Sequence, residues 1–193
     1  MCRNEQPLHG IDKSPATVHN KSGRVCVRFQ YSVMEAPMKI TTLCYIEQDG
    51  CYLMLHRVKK EHDANAGKWI GIGGKFEANE SPDDCLLREV REETGLTLTR
   101  YRPRGIVTFV SNEWETEYMH LFTADAFTGN LHPCDEGELA WVPVHGVLAL
   151  PLWAGDRVFL KLLQTDTPFF SLKLVYEGDA LRQAVLDGRT IGL

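Results

Sequence analysis

The sequence has no apolar run long enough to cross a membrane, and its first residues open no signal-peptide pattern. Its net charge of −5 leaves no excess of lysine and arginine, which argues against a general binder of nucleic-acid backbones. Its six cysteines form no C-x-x-C pair, so we interpret them as free thiols. These absences predict a cytoplasmic protein that binds neither a nucleic-acid polymer nor a membrane.

The chain is long enough for one domain with its own core, since its 193 residues have a hydrophobic content of 44%. The first residues are polar and rich in turn formers, and apolar and polar side chains then alternate over 25–33. We predict that 1–37 form an N-terminal extension that is either partly disordered or adds an edge strand. The main domain is predicted to span 38–193, as a monomer or a homodimer.

The stretch over 74–96 carries the strongest local signals in the chain. Ser81 is a good N-cap, and Pro82 suits the first helical position, where a missing N–H costs nothing. Gly95 stands where a left-handed C-cap residue is wanted. The sequence therefore predicts a helix over 82–94.

Three glutamates of this helix share one face, because Glu89, Glu92 and Glu93 stand at i, i+3 and i+4. Like charges at this spacing oppose the helix by roughly 0.2–0.5 kcal/mol per pair when they are exposed. A solvated acidic face would explain the pattern. A site for a hard divalent cation would explain it too, since Mg²⁺ is usually held by few carboxylates together with waters and substrate phosphates. The three glutamates alone leave both interpretations open.

The complete spacing favours the metal site. Gly74, Glu80 and the run REVREETGL over 88–96 match the Nudix hydrolase signature at every defined position. Seven fixed residue types at roughly 6% each would recur by chance less than about once in a million chains. The chain thus resembles the Nudix hydrolases, from about 39 to 186.

This resemblance implies a fold and a reaction. The fold is of the α/β class, an α/β/α sandwich with a mixed β-sheet, and the reaction is hydrolysis of a nucleoside diphosphate linked to another moiety. Glu89, Glu92 and Glu93 would bind Mg²⁺, with Mn²⁺ as an alternative ion. Arg88 would orient these glutamates by hydrogen bonding, and Glu80 would support the loop or an outer metal shell.

The resemblance also implies further site residues. Glu136, an acidic residue just before a predicted strand, is expected to be another metal ligand or a base, with Glu138 as the second choice. Gly73 completes the predicted metal-binding set. Arg57, at a strand end, and Lys75 are expected to contact substrate phosphate. The general base stays open among three carboxylates: Glu89, Glu92 and Glu136.

A second resemblance covers 148–157. The MutT-type branch, the oxidised-purine nucleoside triphosphate diphosphatases that act on 8-oxo-dGTP, has a similar Pro-x-Trp-x-x-Asp arrangement. It implies that Trp153 stacks on the purine, worth roughly 1–3 kcal/mol, and that Asp156 bonds the base edge. The alternative is a core-covering Trp153 and a helix-capping Asp156. Two departures bear on purine specificity: Gly155 replaces an aspartate, and Ile70 replaces a base-contacting asparagine.

Other functions within the same family remain open. ADP-ribose or a diadenosine polyphosphate are alternative substrates for a hydrolase of this kind. A catalytically silent, nucleotide-sensing Nudix domain is the alternative outside catalysis. Silent relatives are expected to lose signature glutamates, and this chain keeps all of them. The sequence therefore favours a hydrolase.

Hydrophobic periodicity predicts the remaining elements. The strand-like runs are 40–46, 51–57, 104–111, 115–127, 138–143 and 169–176. We expect a helix over 157–163 and a short C-terminal helix over 179–186, stopped at Gly188 and lying on the sheet. Trp114 is expected to face inward, and Glu117 to be solvated or at a rim.

Overall fold

The computed structural model describes residues 38–58, 65–165 and 167–193 with their side chains. Residues 1–37 form a separate compact unit, in which the structure describes four short strands: β1 (Ile11–Asp12), β2 (Pro15–His19), β3 (Val25–Phe29) and β4 (Ser32–Val33). β1 pairs with β4 and β2 pairs with β3, both antiparallel. The predicted alternating stretch thus contains β3 and β4. The residues of the predicted extension outside β1 to β4 are not among the described residues.

The second compact unit runs from Met38 to Leu193, and nine strands described within it form one sheet. They are β5 (Met38–Gln48), β6 (Cys51–His56), β7 (Trp69–Ile70), β8 (Thr97–Ser111), β9 (Thr116–Thr128), β10 (Glu138–Pro143), β11 (Phe170–Glu177), β12 (Ala180–Leu186) and β13 (Arg189–Ile191). The order is β10-β6-β5-β9-β8-β11-β12-β13, with β7 paired to β6. β5 is parallel to β9 and β8 to β11, and the other pairs are antiparallel, so the sheet is mixed.

Two α-helices cover opposite faces of this sheet: α1 (Pro82–Thr94) and α2 (Asp156–Leu163). Successive side chains of β5 point to opposite faces. Cys44 packs in one core cluster with Leu86 of α1, whereas Tyr45 packs in the other with Phe159 of α2. A 3₁₀ helix, Val144–Ala149, precedes α2. The predicted α/β/α sandwich is confirmed. None of the helices that the structure describes is long and apolar enough to cross a membrane.

Helix α1 begins and ends where its capping residues predict. The Ser81 hydroxyl accepts from the Asp84 N–H at 3.2 Å, and the Asp84 carboxylate accepts from the Ser81 N–H at 3.0 Å, which is a capping box. Gly95 has a left-handed φ of +79°, and its N–H donates to the Arg91 carbonyl. These local bonds fix the orientation of the glutamate face before any substrate is present.

The predicted C-terminal helix over 179–186 is wrong. The residues form strand β12, which pairs antiparallel with both β11 and β13. Asp187 and Gly188 have φ values of +48° and +78°, the left-handed pair typical of a two-residue hairpin turn. Gly188 therefore turns a hairpin and does not stop a helix. The strand pairing buries Ala184 completely.

Two smaller predictions also need correction. Strand β8 begins at Thr97, earlier than the predicted start at Arg104. Trp114 does not face the core, since it lies between β8 and β9 and is 41% exposed. Thr97 and Trp114 both belong to the hairpin of β8 and β9, the longest strand pair of the sheet. Pairing with β9 extends β8 through residues whose own pattern is too polar to predict a strand.

Candidate active site

A cavity of about 440 Å³ lies between the sheet, the loop after β7 and the start of α2. One group of lining residues is polar and charged: Arg57, Gly73, Gly74, Lys75, Glu89, Glu93 and Glu136. A second group is mostly apolar: Leu43, Ile70, Phe109, Met119, Trp153, Asp156 and Leu174. The predicted metal-binding and substrate-binding residues except Glu92 therefore line one cavity, whereas Arg88, Glu80 and Glu138 do not line it.

Glu93 is the most deeply placed of the three helix glutamates, at 8% exposed. Its carboxylate accepts a hydrogen bond of 3.1 Å from the Gly73 N–H. Burial raises the pKa of Glu93 to about 8, and the charges of Glu136 and Glu89 add to the effect. Burial also raises the pKa of Glu89. Burial thus makes the ionised form of both carboxylates unfavourable, and the positive charge around them does not compensate for it.

Glycines let the backbone after β7 press against these carboxylates. A Cβ on Gly73, whose φ is +154°, would lie 2.2 Å from the Thr42 carbonyl oxygen. A Cβ on Gly74 would lie 2.5 Å from the Glu89 carboxyl group. Any side chain at either position would displace the loop or the glutamate. Close packing at the cavity wall therefore favours glycine at both positions.

Arg88 connects the glutamates of the signature. Its guanidinium donates to both Glu80 oxygens at 2.6 and 2.9 Å, to Glu89 at 2.8 Å and to Glu92 at 3.1 Å. It also donates to the Lys75 carbonyl oxygen at 3.0 Å. The hydrogen bond from Arg88 holds the pKa of Glu80 down at about 2. This bidentate pair fixes the guanidinium, which in turn holds Glu89 and the 61% exposed Glu92 side chain.

Arg57 and Glu136 form an ion pair at the cavity wall. Both side chains are largely covered, at 11% and 28% exposed. Glu138, the second choice for the additional acidic residue, is exposed in β10 and is absent from the described lining of the cavity. The fold therefore brings Glu136, and not Glu138, to the carboxylates of α1.

The donor set suits a hard divalent cation. Glu89, Glu93 and Glu136 are oxygen donors on one cavity, and burial raises the pKa of the first two. A cation would relieve that penalty. No three metal-binding side chains among the described residues are already gathered into one set. Mg²⁺ usually keeps several waters and uses substrate phosphate oxygens beside one or two carboxylates, and the cavity offers carboxylates of that kind.

Trp153 is both buried and part of the cavity wall. It is 8% exposed, and its ring lies edge-on to Tyr176 at 5.4 Å and to Phe109 at 6.0 Å. Its indole N–H donates to the Asn65 side-chain oxygen at 2.8 Å, and the Lys68 ammonium lies 4.6 Å from the ring centroid. The core-covering interpretation is thus correct as a description of packing. It does not exclude a ligand contact, because the residue also lines the cavity.

Asp156 does not cap helix α2. The N-cap is Gly155, no side-chain cap bond is formed there, and Asp156 is the first helical residue. A side chain at position 155 has no room, because a Cβ would lie 2.4 Å from Leu174 and 2.7 Å from the Tyr176 hydroxyl. Burial raises the pKa of Asp156 to about 7, against opposing contributions from Lys68 and Arg157. A buried carboxyl that titrates near neutral pH can either donate or accept a hydrogen bond.

The raised pKa of Asp156 predicts a pH-dependent stability. The pKa of Asp156 in the folded protein is about 7, above the ordinary 3.8. Protonation of Asp156 therefore stabilises the fold fully below about pH 4, and this contribution is lost as pH rises through 7. The free energy of unfolding of wild type relative to Asp156→Asn should fall by about 2–3 kcal/mol between pH 5 and pH 8, at 1.36 kcal/mol per pKa unit. Urea titrations of both proteins measure it. If the free energies of unfolding of the two proteins changed with pH in parallel, the raised pKa of Asp156 would be contradicted.

Sequence reasoning missed several residues of the cavity wall, among them Thr41, Asn65, Phe109 and Glu117. The sequence predicts a solvated or rim position for Glu117; the residue is half-buried and lines the cavity. The alternation of β9 does place it on the same face as Met119 and Leu121. Alternation is therefore the sequence signal that points Glu117 to the cavity.

Comparison with known proteins agrees with this geometry. The NUDIX domain family matches residues 38–163. The chain is 31% identical over 150 residues to an oxidized purine nucleoside triphosphate hydrolase of Danio rerio, covering 77% of this chain and 94% of that one. It is 34% identical over 146 residues to a Nudix hydrolase of Bacillus subtilis strain 168, covering 68% and 89%.

Among solved structures, the mutator MutT protein of Bacillus halodurans superposes with a TM-score of 0.70 at 28% identity. The match covers 77% of this chain and 97% of that one. The MutT protein of Methanosarcina mazei Go1 gives a TM-score of 0.60 at 29% identity, covering 68% and 96%. With the complete signature on α1 and the residues that flank it, a mixed sheet between two helices and these matches, the chain belongs to the Nudix hydrolase family.

Proposed function

We propose that this protein hydrolyses a purine nucleoside triphosphate, including an oxidised one such as 8-oxo-dGTP, to the monophosphate and pyrophosphate. The observation that carries the proposal is the single cavity that joins the acidic face of α1 to the buried pair Trp153 and Asp156. A nucleotide needs both kinds of wall, charged groups for its phosphates and aromatic or hydrogen-bonding groups for its base. The proposed role is removal of damaged nucleotides from the cytoplasmic pool.

The polar group of lining residues would hold the phosphates. Mg²⁺ or Mn²⁺ would be held by Glu89, Glu92, Glu93, Glu136 and Gly73, and such an ion neutralises phosphate charge and activates water. Arg88 would position Glu89 and Glu92 through the hydrogen bonds it already makes. Lys75 would contact phosphate oxygens. Arg57 would also contact phosphate oxygens. A bound phosphate would then replace Glu136 as the ion-pair partner of Arg57.

A carboxylate of this cluster would take the proton from the attacking water. Glu89, Glu92 and Glu136 are the candidates, since each belongs to or borders the acidic group. Clustered carboxylates titrate together, so the pH profile of kcat would report the group. Single substitutions measured with saturating metal would identify the base as the residue whose loss lowers kcat most without changing the metal requirement.

The apolar group of lining residues would hold the base. Trp153 would offer an aromatic surface and Asp156 a hydrogen-bonding edge within a low-dielectric setting. The relative from Danio rerio acts on oxidised purine nucleoside triphosphates according to its name, and a relative from Mus musculus carries the same description at 30% identity. These names support a purine. Ile70, which lines the cavity, offers no hydrogen bond to one.

A nucleotide panel tests the proposal. Pyrophosphate and phosphate release would be measured with Mg²⁺ for 8-oxo-dGTP, dGTP, the other common triphosphates, ADP-ribose and diadenosine tetraphosphate. We expect the highest kcat/KM for a purine triphosphate, with the preference for 8-oxo-dGTP reduced in Asp156→Ala. Variants would be compared at equal folded fraction, since position 156 is buried.

Other outcomes of the panel lead to other functions. Similar activity on many triphosphates would indicate a general nucleoside triphosphate diphosphatase. Activity confined to ADP-ribose or diadenosine tetraphosphate would overturn the triphosphate proposal. Nucleotide binding without any product, in protein that retains its fold, would indicate a nucleotide sensor.

A further inference from the structure

The apolar side of the cavity holds a second carboxylate besides Asp156. Glu117, on β9, lines the same cavity and is half-buried. Its neighbours in the wall include Met119 on its own strand and Phe109 on the adjoining strand. A carboxylate among such neighbours is costly unless its oxygens are hydrogen-bonded. The Glu117 oxygens therefore need hydrogen-bond donors, and a ligand in the cavity would be one source of them.

One partner comes from the neighbouring strand β5. The Thr41 hydroxyl donates to Glu117 Oε1 at 2.8 Å, and Thr41 itself is only 6% exposed. The two residues are 76 positions apart in sequence, so the contact depends on the parallel pairing of β5 with β9. A carboxylate offers about four lone-pair positions. The bond from Thr41 thus fixes the side chain and leaves acceptor capacity for a ligand.

The basic residue of β5, Lys39, forms its ion pair with a different glutamate. Lys39 stands directly opposite Glu117 in the strand register, yet its ammonium forms an ion pair of 3.7 Å with Glu115. Glu117 and Asp156 line the same cavity; burial raises the pKa of Asp156, and the charge of Glu117 adds to that effect. Two carboxyl groups therefore act on one small apolar space. Two hydrogen-bond donors on one edge of a ligand would satisfy both.

We propose that Glu117, held by Thr41, is a second base-reading residue that accepts a hydrogen bond from an exocyclic amino group of the purine. A guanine-type base presents an imino N–H beside an amino group on one edge, which suits two carboxyl groups. Hypoxanthine has the imino N–H but lacks the amino group. Glu117 therefore selects guanine-type nucleotides over hypoxanthine nucleotides. This inference rests on the proposed purine nucleotide function.

The test compares dGTP with dITP, which differ only in that amino group. Wild type should favour dGTP in kcat/KM by at least about tenfold, the factor that a hydrogen bond to a charged group supplies. Glu117→Leu should bring the ratio within about threefold of unity, through a higher KM for dGTP. Thr41→Val, which keeps the shape but removes the hydroxyl, should lower the ratio less. Glu113→Gln, an exposed glutamate between β8 and β9, should leave it unchanged.

Each contrary outcome has a separate meaning. A wild-type ratio near one, or a Glu117→Leu protein that keeps the wild-type ratio, overturns the inference. Equal losses on both substrates in Glu117→Leu also overturn it, because they indicate a structural role. If wild type hydrolyses neither nucleotide, the proposed function fails, and the inference is then judged on the dissociation constants of dGMP and dIMP. A ratio of those constants that Glu117→Leu does not change overturns it as well.

Discussion

Replacing Glu93 by glutamine should lower kcat/KM for pyrophosphate release by a factor on the order of 10²–10³, the usual loss when a preorganised charged group is removed from an active site. Glu93 is the most buried glutamate of the α1 face and lines the cavity. Glutamine keeps an oxygen that can accept from the Gly73 N–H, the bond that Glu93 makes now. The variant should therefore stay folded. Steady-state kinetics with saturating Mg²⁺ and a thermal unfolding curve measure both points.

The matched control is Glu138→Gln, which removes an exposed glutamate at the start of β10. It should keep wild-type kcat/KM. A Glu93→Gln protein with near wild-type activity would mean that the Glu93 carboxylate is not part of the catalytic metal site. Glu92→Gln provides a graded comparison, because the Glu92 side chain is 61% exposed and bonds Arg88. Full pyrophosphate release in Glu92→Gln would remove that residue from the catalytic group.

Trp153→Ala should reduce the free energy of unfolding by about 3–5 kcal/mol, the usual cost of truncating a buried aromatic residue. Trp153 is 8% exposed and contacts Phe109, Tyr176 and Asn65. If it also stacks on the base, KM should rise by roughly 5- to 150-fold, which corresponds to about 1–3 kcal/mol of stacking. Denaturant titration and steady-state kinetics would be run on the same preparations.

Two further variants separate packing from ligand contact. Trp153→Phe keeps an aromatic face but loses the hydrogen bond to Asn65, so it should lose some stability and keep most of the affinity. Trp141→Phe is the control, because Trp141 stacks on Phe127 at 5.9 Å in the other core cluster. It should affect stability alone. An unchanged KM in folded Trp153→Ala would show that the residue only supports the core.

The part of the site that could be predicted from sequence is the part held by local interactions. The ends of α1 follow from Ser81 and Gly95, and the shared face of its glutamates follows from their i, i+3 and i+4 spacing. Six of the nine described strands of the sheet follow from periodicity, with errors at their ends. The sequence does not predict β7 or β13, and it predicts a helix where β12 stands. The acidic face alone leaves both a solvated surface and a metal site open, and the family signature favours the metal site.

Contacts between distant strands were beyond sequence reasoning. The bond from Thr41 to Glu117 exists only because β5 lies parallel to β9, and nothing in either segment alone indicates it. The C-terminal error has the same origin. Residues 180–186 are mostly good helix formers, which favours a helix, but pairing with β11 and β13 decides their conformation. Tertiary pairing routinely overrides weak local propensity.

The most direct test of the central claim is to identify the products of dGTP hydrolysis with Mg²⁺ and again after chelation with EDTA, by phosphorus NMR. The proposed chemistry predicts dGMP and pyrophosphate in equal amounts with Mg²⁺, and no turnover with EDTA until the metal is restored. Formation of dGDP and orthophosphate, or turnover that EDTA leaves unchanged, would contradict metal-dependent cleavage that releases pyrophosphate.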